Sequence, residues 1–424
     1  MITGLLPDYI FLSFYSIGQQ NCPRYSQVLI SVVISIGVKL KITQRSMESE
    51  NLMTRRFFSV PDVYFGTDAV SSLERFNSKK VAIVTDAFMV SSGKARSLIK
   101  AMPYANVSVF GEVKPDPNTA VIIAGVQQLK SFQPDVIIAL GGGSSLDAAK
   151  GIKVTLEELY QGNKIELIAI PTTSGSGSEV TSYAVISDSS NGKKYPLVSS
   201  DLLPDAAILD PELVLSVPRV VAVDTGMDVL THAIEAVVST DSNDFSDALA
   251  EKAIYLVATY LPQVVENETA IEPREHMHNA SCMAGMAFNA SGLGLVHGMA
   301  HALGGTLHIS HGKINAMLLP LIIDFNAEAG DSDILHKYHK CVRLMNINVD
   351  IPSLAAKELS AAIRDLNRQF QIPSSLTELG KSRHEIERTR QAIIDSTLAD
   401  ACTATNPRQP SASDIDKLLT KIIG

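Results

Sequence analysis

The sequence predicts two domains of different class, an α/β domain built on a parallel sheet followed by an all-α domain. Three observations lead there. The chain has 424 residues, more than one hydrophobic core ordinarily fills. Between Arg55 and about Leu213 short apolar runs alternate with helical stretches, the pattern of strands joined by crossover helices. Beyond Pro218 the apolar stretches lengthen and the strand alternation stops. The boundary falls at VPRVV (217–221), giving an extension at 1–46, an α/β domain at 47–217 and a helical domain at 218–424.

Taken in order, the extension fits the rest poorly. Its run QVLISVVISIGVKLKI (27–42) is apolar and β-branched, short for a membrane span, and lacks the basic start of a secretory signal. The run is open to reading as a weak signal, an anchor or upstream sequence read through from a wrong start codon, and the last is preferred because Met47 or Met53 opens a more ordinary globular sequence. The expected strands are VAIVTD (81–86), VSVFGEV (107–113), DVIIALGGG (135–143), IELIAIPTT (165–173) and AAILD (206–210). The expected helices of the second domain lie in DTGMDVLTHAIEAVVS, DALAEKAIYLVATYL, REHMHNASCMAGMAFNA and KINAMLLPLIIDFNA, with STDSNDFSD (239–247) as a polar surface turn.

A net charge of −9 argues against a nucleic-acid partner, which needs a basic face, and no membrane partner is expected. Cys22, Cys282, Cys341 and Cys402 show no CxxC spacing, which suits free thiols in a reducing, cytoplasmic setting. Small molecules are the expected partners.

Two sets of residues carry chemistry. In GMDVLTHAIEA, Asp228 and His232 stand four apart and so share a helix face. With one histidine from each end of GLGLVHGMAHALGGTLHISHG, where His297, His301, His308 and His311 stand, they make a site of one carboxylate and three imidazoles. Such a set holds a divalent cation and suits a Lewis acid better than a structural ion. His276 and His278, two apart in REHMHNA, fall on different helix faces and are read as surface residues. Cys402 is read as a packed thiol, and the methionines of SCMAGMAF and HGMAHAL as core or pocket lining.

The second set is for a nucleotide. GGGSSLDAAKG places Gly142, Gly143 and Ser144 after a buried strand and at the start of a helix, where backbone N–H groups and the positive helix end receive a phosphate. PTTSGSGSEVTS (171–182) is a second small-residue loop after a strand, and two such loops on neighbouring strands suit a dinucleotide. Asp86, at a strand end, would accept the adenosine ribose hydroxyls and repel a 2′-phosphate, favouring NAD over NADP, although a strand-terminal Asp is also a common helix cap. Lys193 or Lys194 would carry positive charge toward the nicotinamide ribose.

With GGGSSLDAAK, PTTSGSGSE, GMDVLTHAIEA, GLGLVHGMAHALGG and HG-x-x-NAMLLP in this order, the sequence resembles the iron-containing alcohol dehydrogenase family from about Phe57 to Ile423. Within it, ISDSSNGKKYPL, PDAAILDPELVLSVP and DFSDALAEKA look most like the branch that makes 1-propanol in propanediol-utilisation microcompartments, the ethanolamine-utilisation branch being next. The resemblance implies an NAD-binding α/β domain, a helical metal-binding domain and Fe(II), with zinc as the alternative ion. It implies Asp228, His232, His297 and His311 as ligands and His301 as the residue that transfers a proton. It also implies Asp86 at the adenosine ribose, Gly142, Gly143 and Ser144 at the pyrophosphate, Thr172, Thr173 and Ser176 from the second loop, and Lys194 near the nicotinamide ribose. The implied reaction is NADH-linked reduction of a small aldehyde, propanal first, with lactaldehyde (giving 1,2-propanediol) or butanal as alternatives, by a cytoplasmic homo-oligomer inside or beside a microcompartment shell. A polyol dehydrogenase or synthase on the same scaffold is the further alternative, disfavoured by the full Asp-His-His-His set. The chain departs from the family at Asp116 in PDP, where an Asn is usual, and over residues 1–46.

Overall fold

The computed structural model describes residues 57, 62–189 and 194–424, together with the backbone of β1 (Tyr9–Ser16), β2 (Ile30–Ile34) and β3 (Val38–Ser46). The side chains of the 27–42 run lie outside the described residues. The chain separates into two compact units, Met1–Thr172 with Ser178–Asp210, and Thr173–Gly177 with Pro211–Gly424.

In the first unit six parallel strands form one sheet: β4 (Asp62–Phe65), β5 (Lys80–Asp86), β6 (Asn106–Val113), β7 (Val136–Gly141), β8 (Glu166–Pro171) and β11 (Ala206–Leu209). Their spatial order is β4-β11-β8-β7-β5-β6. The helices between them are α1 (Ala87–Ser91), α2 (Lys94–Ala101), α3 (Thr119–Leu129) and α4 (Gly143–Leu159). Every residue of β7 is buried, as expected for a central parallel strand covered on both faces. Leu146, Ala149, Ile152 and Leu156 of α4 pack with Val126 and Leu129 of α3 against Ala82, Val84, Ile137 and Ala139. The five expected strands are all present. The four-residue edge strand β4 is an addition, as is an antiparallel hairpin of β9 (Tyr183–Ser187) and β10 (Lys194–Val198); both are too short to show a period in sequence.

The strand order has a functional consequence. From β5 the chain steps outward to β6, then crosses back to form β7 on the other side of β5. This reversal is a topological switch point, and ligands of such sheets bind beyond the carboxyl ends of the two strands that flank it. Those ends are Asp86 and Gly141.

The second unit is helical: α5 (Arg219–Val238), α6 (Asp244–Glu266), α7 (Ile271–Ser291), α8 (Leu295–Leu307), α9 (His311–Ala327), α10 (Ser332–Leu344), α11 (Pro352–Gln369), α12 (Arg383–Ala399) and α13 (Ala412–Ile423). Every residue of α5 from Gly226 to Val238 is buried, so this helix forms the centre of the unit, with α6, α7 and α9 packed on it. That is why it carries apolar residues all round. The 239–247 segment is less superficial than its polarity suggests. Ser239 and Ser246 are buried, and Asn243 forms a capping box with Ser246 that starts α6. Among the described residues no helix is long and apolar enough to cross a membrane.

Candidate metal centre

Helix α5 presents Asp228, His232 and Glu235 on successive turns of one stripe. His297 comes from the first turn of α8, and His311 opens α9. One ligand atom each from Asp228, His232, His297 and His311 lies within 4.8 Å of the others. Asp228 Oδ1 is 3.9 Å from His232 Nε2, 3.8 Å from His297 Nε2 and 3.8 Å from His311 Nε2. A tetrahedral ion with bonds of about 2.1 Å places its donors ~3.4 Å apart, so these separations close by a few tenths of an ångström around a cation. Asp228, His232 and His297 are buried, whereas the His311 side chain is 41% exposed and marks the open side.

The surroundings favour lone pairs over protons. Burial pulls the His297 pKa well below its ordinary value, and the neighbouring imidazoles of His232, His311 and His301 add to the effect. Burial also lowers His232, against the pull of Asp228. Neutral imidazoles are the form a cation needs. The Asn315 amide, one turn into α9 from His311, donates toward this cluster from Nδ2, at 2.6 Å from Asp228 Oδ1, 3.1 Å from His297 Nε2 and 3.2 Å from His311 Nε2. Two amide hydrogens facing three acceptors leave the donor set short of positive charge, and buried Asn315 Oδ1 has no hydrogen-bond partner. A divalent ion answers that shortage. The residues present fit one.

Glu235, absent from the sequence-based set, orients the cluster. Its carboxylate accepts the Gly294 N–H at 3.0 Å and the Val296 N–H at 2.7 Å, closing the amino end of α8, and lies 2.6 Å from His297 Nδ1. The pairing turns His297 Nε2 toward Asp228, the arrangement by which carboxylates set the tautomer of metal-binding histidines. Burial pushes the Glu235 pKa up to about 8 against the pull of its three N–H contacts on the α8 end. The i+7 spacing from Asp228 is the sequence signal that marks it. The rings of His232 and His297 stack with centroids 4.7 Å apart, and Phe288 lies 4.6 Å from His232 on another side.

His301, one turn past His297, has a side chain 40% exposed, and its ring stacks on His311 at 5.3 Å. Its Nδ1 is 2.9 Å from Asp400 Oδ2. His308 is exposed and caps α8 in the left-handed conformation. The surface reading of REHMHNA holds only in part. His276 is half-buried, stacked 4.0 Å from Tyr260, while His278 is buried with Nδ1 3.0 Å from Ser174 Oγ. Faces of a helix that is packed all round cannot be sorted into inside and outside by spacing.

In the first unit, Gly142 caps α4, so Gly143 and Ser144 supply its first-turn amides. Gly141 makes the turn possible: its φ is +144°, and a Cβ there would lie 2.5 Å from Ser145 Oγ. The Thr172 N–H donates to the Gly141 carbonyl at 2.9 Å, tying the second loop to the first. Asp86 does what a cap does and has an oxygen to spare. Oδ1 accepts the Met89 N–H at 2.9 Å, while Oδ2 lies on the Gly141 side. Asp116 is in the left-handed region (φ +54°), which Asp and Asn tolerate, and its N–H reaches Ser144 Oγ at 3.3 Å. Thr173 and Ser176 fall in the five-residue stretch that groups with the helical unit. The side chains of Lys193 and Lys194 lie outside the described residues.

A family model described as iron-containing alcohol dehydrogenase matches residues 61–211, and one described as the C-terminal part of the Fe-containing alcohol dehydrogenase family matches residues 222–423. The chain is similar to the 1-propanol dehydrogenase PduQ of Salmonella typhimurium, 44% identical over 365 residues, 85% of this chain and 98% of that protein. It is 42% identical over 382 residues to the protein of the same name from Citrobacter freundii, 89% of this chain and 100% of that one. Of solved structures, an iron-containing alcohol dehydrogenase from Thermococcus thioreducens matches with a TM-score of 0.80 at 31% identity, over 86% of this chain and 99% of that chain.

Proposed function

The chain belongs to the iron-containing alcohol dehydrogenase family, and on that premise we propose that it interconverts propanal and 1-propanol with NAD(H) and Fe(II). The observation that carries the reading is the convergence of one carboxylate and three imidazoles, two of which, His232 and His297, burial holds toward the neutral form. The substrate is taken from the two similar proteins named for 1-propanol.

Asp228, His232, His297 and His311 hold the cation, with Glu235 fixing the direction of His297. Gly142, Gly143 and Ser144 receive the pyrophosphate, with Thr172, Thr173 and Ser176 from the second loop, and Lys194 serves the nicotinamide ribose. Asp86, on the glycine-turn side with one free-facing carboxylate oxygen, favours NAD because its charge repels a 2′-phosphate. When bound, the cation supplies Lewis acidity at the carbonyl oxygen and the dihydronicotinamide supplies hydride to the carbonyl carbon. His301 gives the proton that the product oxygen requires. Iron follows the family; the donor set itself accepts zinc at least as readily, so metal supply decides occupancy. A homo-oligomer working in the cytoplasm, in or beside a microcompartment, extends the same reading.

The test is an anaerobic assay of NADH oxidation against linear aldehydes of two to five carbons, with Fe(II) and Zn(II) supplied separately and metal measured in the active fraction. We expect propanal to be preferred by about tenfold in kcat/KM per methylene added or removed, with Fe(II) the activating ion. No NADH oxidation with any of these aldehydes and either metal would overturn the proposal.

A further inference from the structure

We propose that Asp400 is a positioning residue for His301, holding its Nδ1–H so that Nε2 is the nitrogen that exchanges the proton of the reaction. The inference rests on the reading of His301 as the proton-transferring residue. His301 projects from α8 with a half-exposed side chain, which left to itself would sample several rotamers and both tautomers. Asp400 Oδ2 meets Nδ1 at 2.9 Å. An ionised carboxylate only accepts hydrogen bonds, so Nδ1 keeps its proton in both ring states and it is Nε2 that carries a proton in the imidazolium and the lone pair in the neutral ring.

Asp400 is itself fixed. Its Oδ1 accepts the Cys402 N–H at 2.8 Å, which starts a 3-10 turn at Ala401–Thr405, the Cys402 thiol adds a hydrogen bond to the same carboxyl group, and Oδ2 meets His301. That turn is seated directly on α8: a Cβ on Gly298 would lie 2.1 Å from Thr403 Oγ1. Thr403 Oγ1 in turn donates to the Thr397 carbonyl at 2.7 Å, joining the turn to the end of α12. Burial raises the Asp400 pKa, but hydrogen bonding and charge from His301 and the hydrogen bonds of the Cys402 amide and thiol outweigh it, and the carboxyl stays below its ordinary range. In aldehyde reduction the ring acts as the imidazolium, protonated on both nitrogens: the Nε2–H bond breaks with its electron pair left on nitrogen, an O–H bond forms on the product, and solvent returns a proton to Nε2. The Nδ1 proton stays on the ring throughout, donated to Asp400.

Five proteins decide the matter: wild type, Asp400→Asn, Asp400→Glu, His301→Ala and the Asp400→Asn/His301→Ala double variant, each assayed with propanal and NADH for kcat, KM and bound metal. We expect Asp400→Asn to lower kcat about a hundredfold, with KM and metal content unchanged, because the amide offers its own N–H and permits the wrong tautomer. In the His301→Ala background the same change should cost less than twofold, since a residue that acts through His301 has nothing left to position. Asp400→Glu, an acceptor only, should retain at least tenfold more turnover than Asp400→Asn. An Asp400→Asn kcat within twofold of wild type, an equal loss in both backgrounds, or equal losses for Asn and Glu would each overturn the inference. If His301→Ala alone keeps wild-type turnover, the His301 reading falls first.

Discussion

Asp228→Ala is expected to emerge from purification with almost no bound metal and with kcat lowered at least about a thousandfold. Asp228 is the one anion in the donor set, and its Oδ1 is the common vertex, 3.8 to 3.9 Å from all three imidazoles. It also receives the Asn315 amide at 2.6 Å, so alanine removes the charge that gathers α5, α8 and α9 around one point. Asp228→Asn keeps the volume and removes only the charge, and should lie between alanine and wild type in metal retained. Metal per chain measured by atomic emission, alongside anaerobic turnover, checks both. An alanine variant with a full metal complement and normal turnover would place the ion elsewhere.

Gly312→Ala is expected to be the most damaging single-methyl addition near the site. Gly312 sits where the first turn of α9 lies on the α5 backbone: a Cβ there would come 2.0 Å from the Asp224 carbonyl oxygen and 3.2 Å from Asp228 Cβ. Backbone cannot swing aside as a side chain can. The helices must separate, carrying His311 and Asn315 away from Asp228. Overpacking of this kind costs about 3 kcal/mol or more, and here the strain falls on the donor geometry as well. Gly305→Ala is the control, because a Cβ at that α8 position meets nothing within 4 Å. It should be neutral or stabilising by up to about 1 kcal/mol, from helix propensity alone. Thermal unfolding followed by circular dichroism, with metal content on the same samples, tests the pair. Equal melting temperatures and equal metal for both would show that α9 yields without cost.

The two sets of chemistry were legible to different depths, for physical reasons. Asp228 and His232 could be paired because helical periodicity is a local property, and four residues is one turn. Which two of the four later histidines join them was open on spacing, since His297 and His301 share a face and so do His308 and His311. The structure brings His297 and His311 to Asp228, and turns His301 to Asp400 and His308 to solvent. Glu235 was within reach of the same periodicity but reads as an ordinary charge until α8 is seen docking its amino end there. Asp400 was out of reach: it pairs with a residue 99 positions earlier, and no local pattern encodes such a contact. In the sheet, β5, β7, β8 and β11 were readable because buried parallel strands are continuous apolar runs, and the half-buried edge strand β6 from its Val and Phe residues, whereas β4 has four residues with both ends exposed. The order β4-β11-β8-β7-β5-β6, which puts Asp86 beside the glycine turn, is a matter of pairing and has no signature in any one segment.

The donors of the candidate centre stand on three helices whose own apolar faces are already packed, and on the most deeply enclosed of them, α5. An ion held there would therefore be a guest in a finished building and not a keystone. Chelation should empty the seat without melting the walls, which separates this protein from small domains that exist only while their zinc is bound. Stripped protein can accordingly be recharged with a spectroscopically visible substitute such as cobalt, and the geometry around Asp228 read directly from its absorption bands.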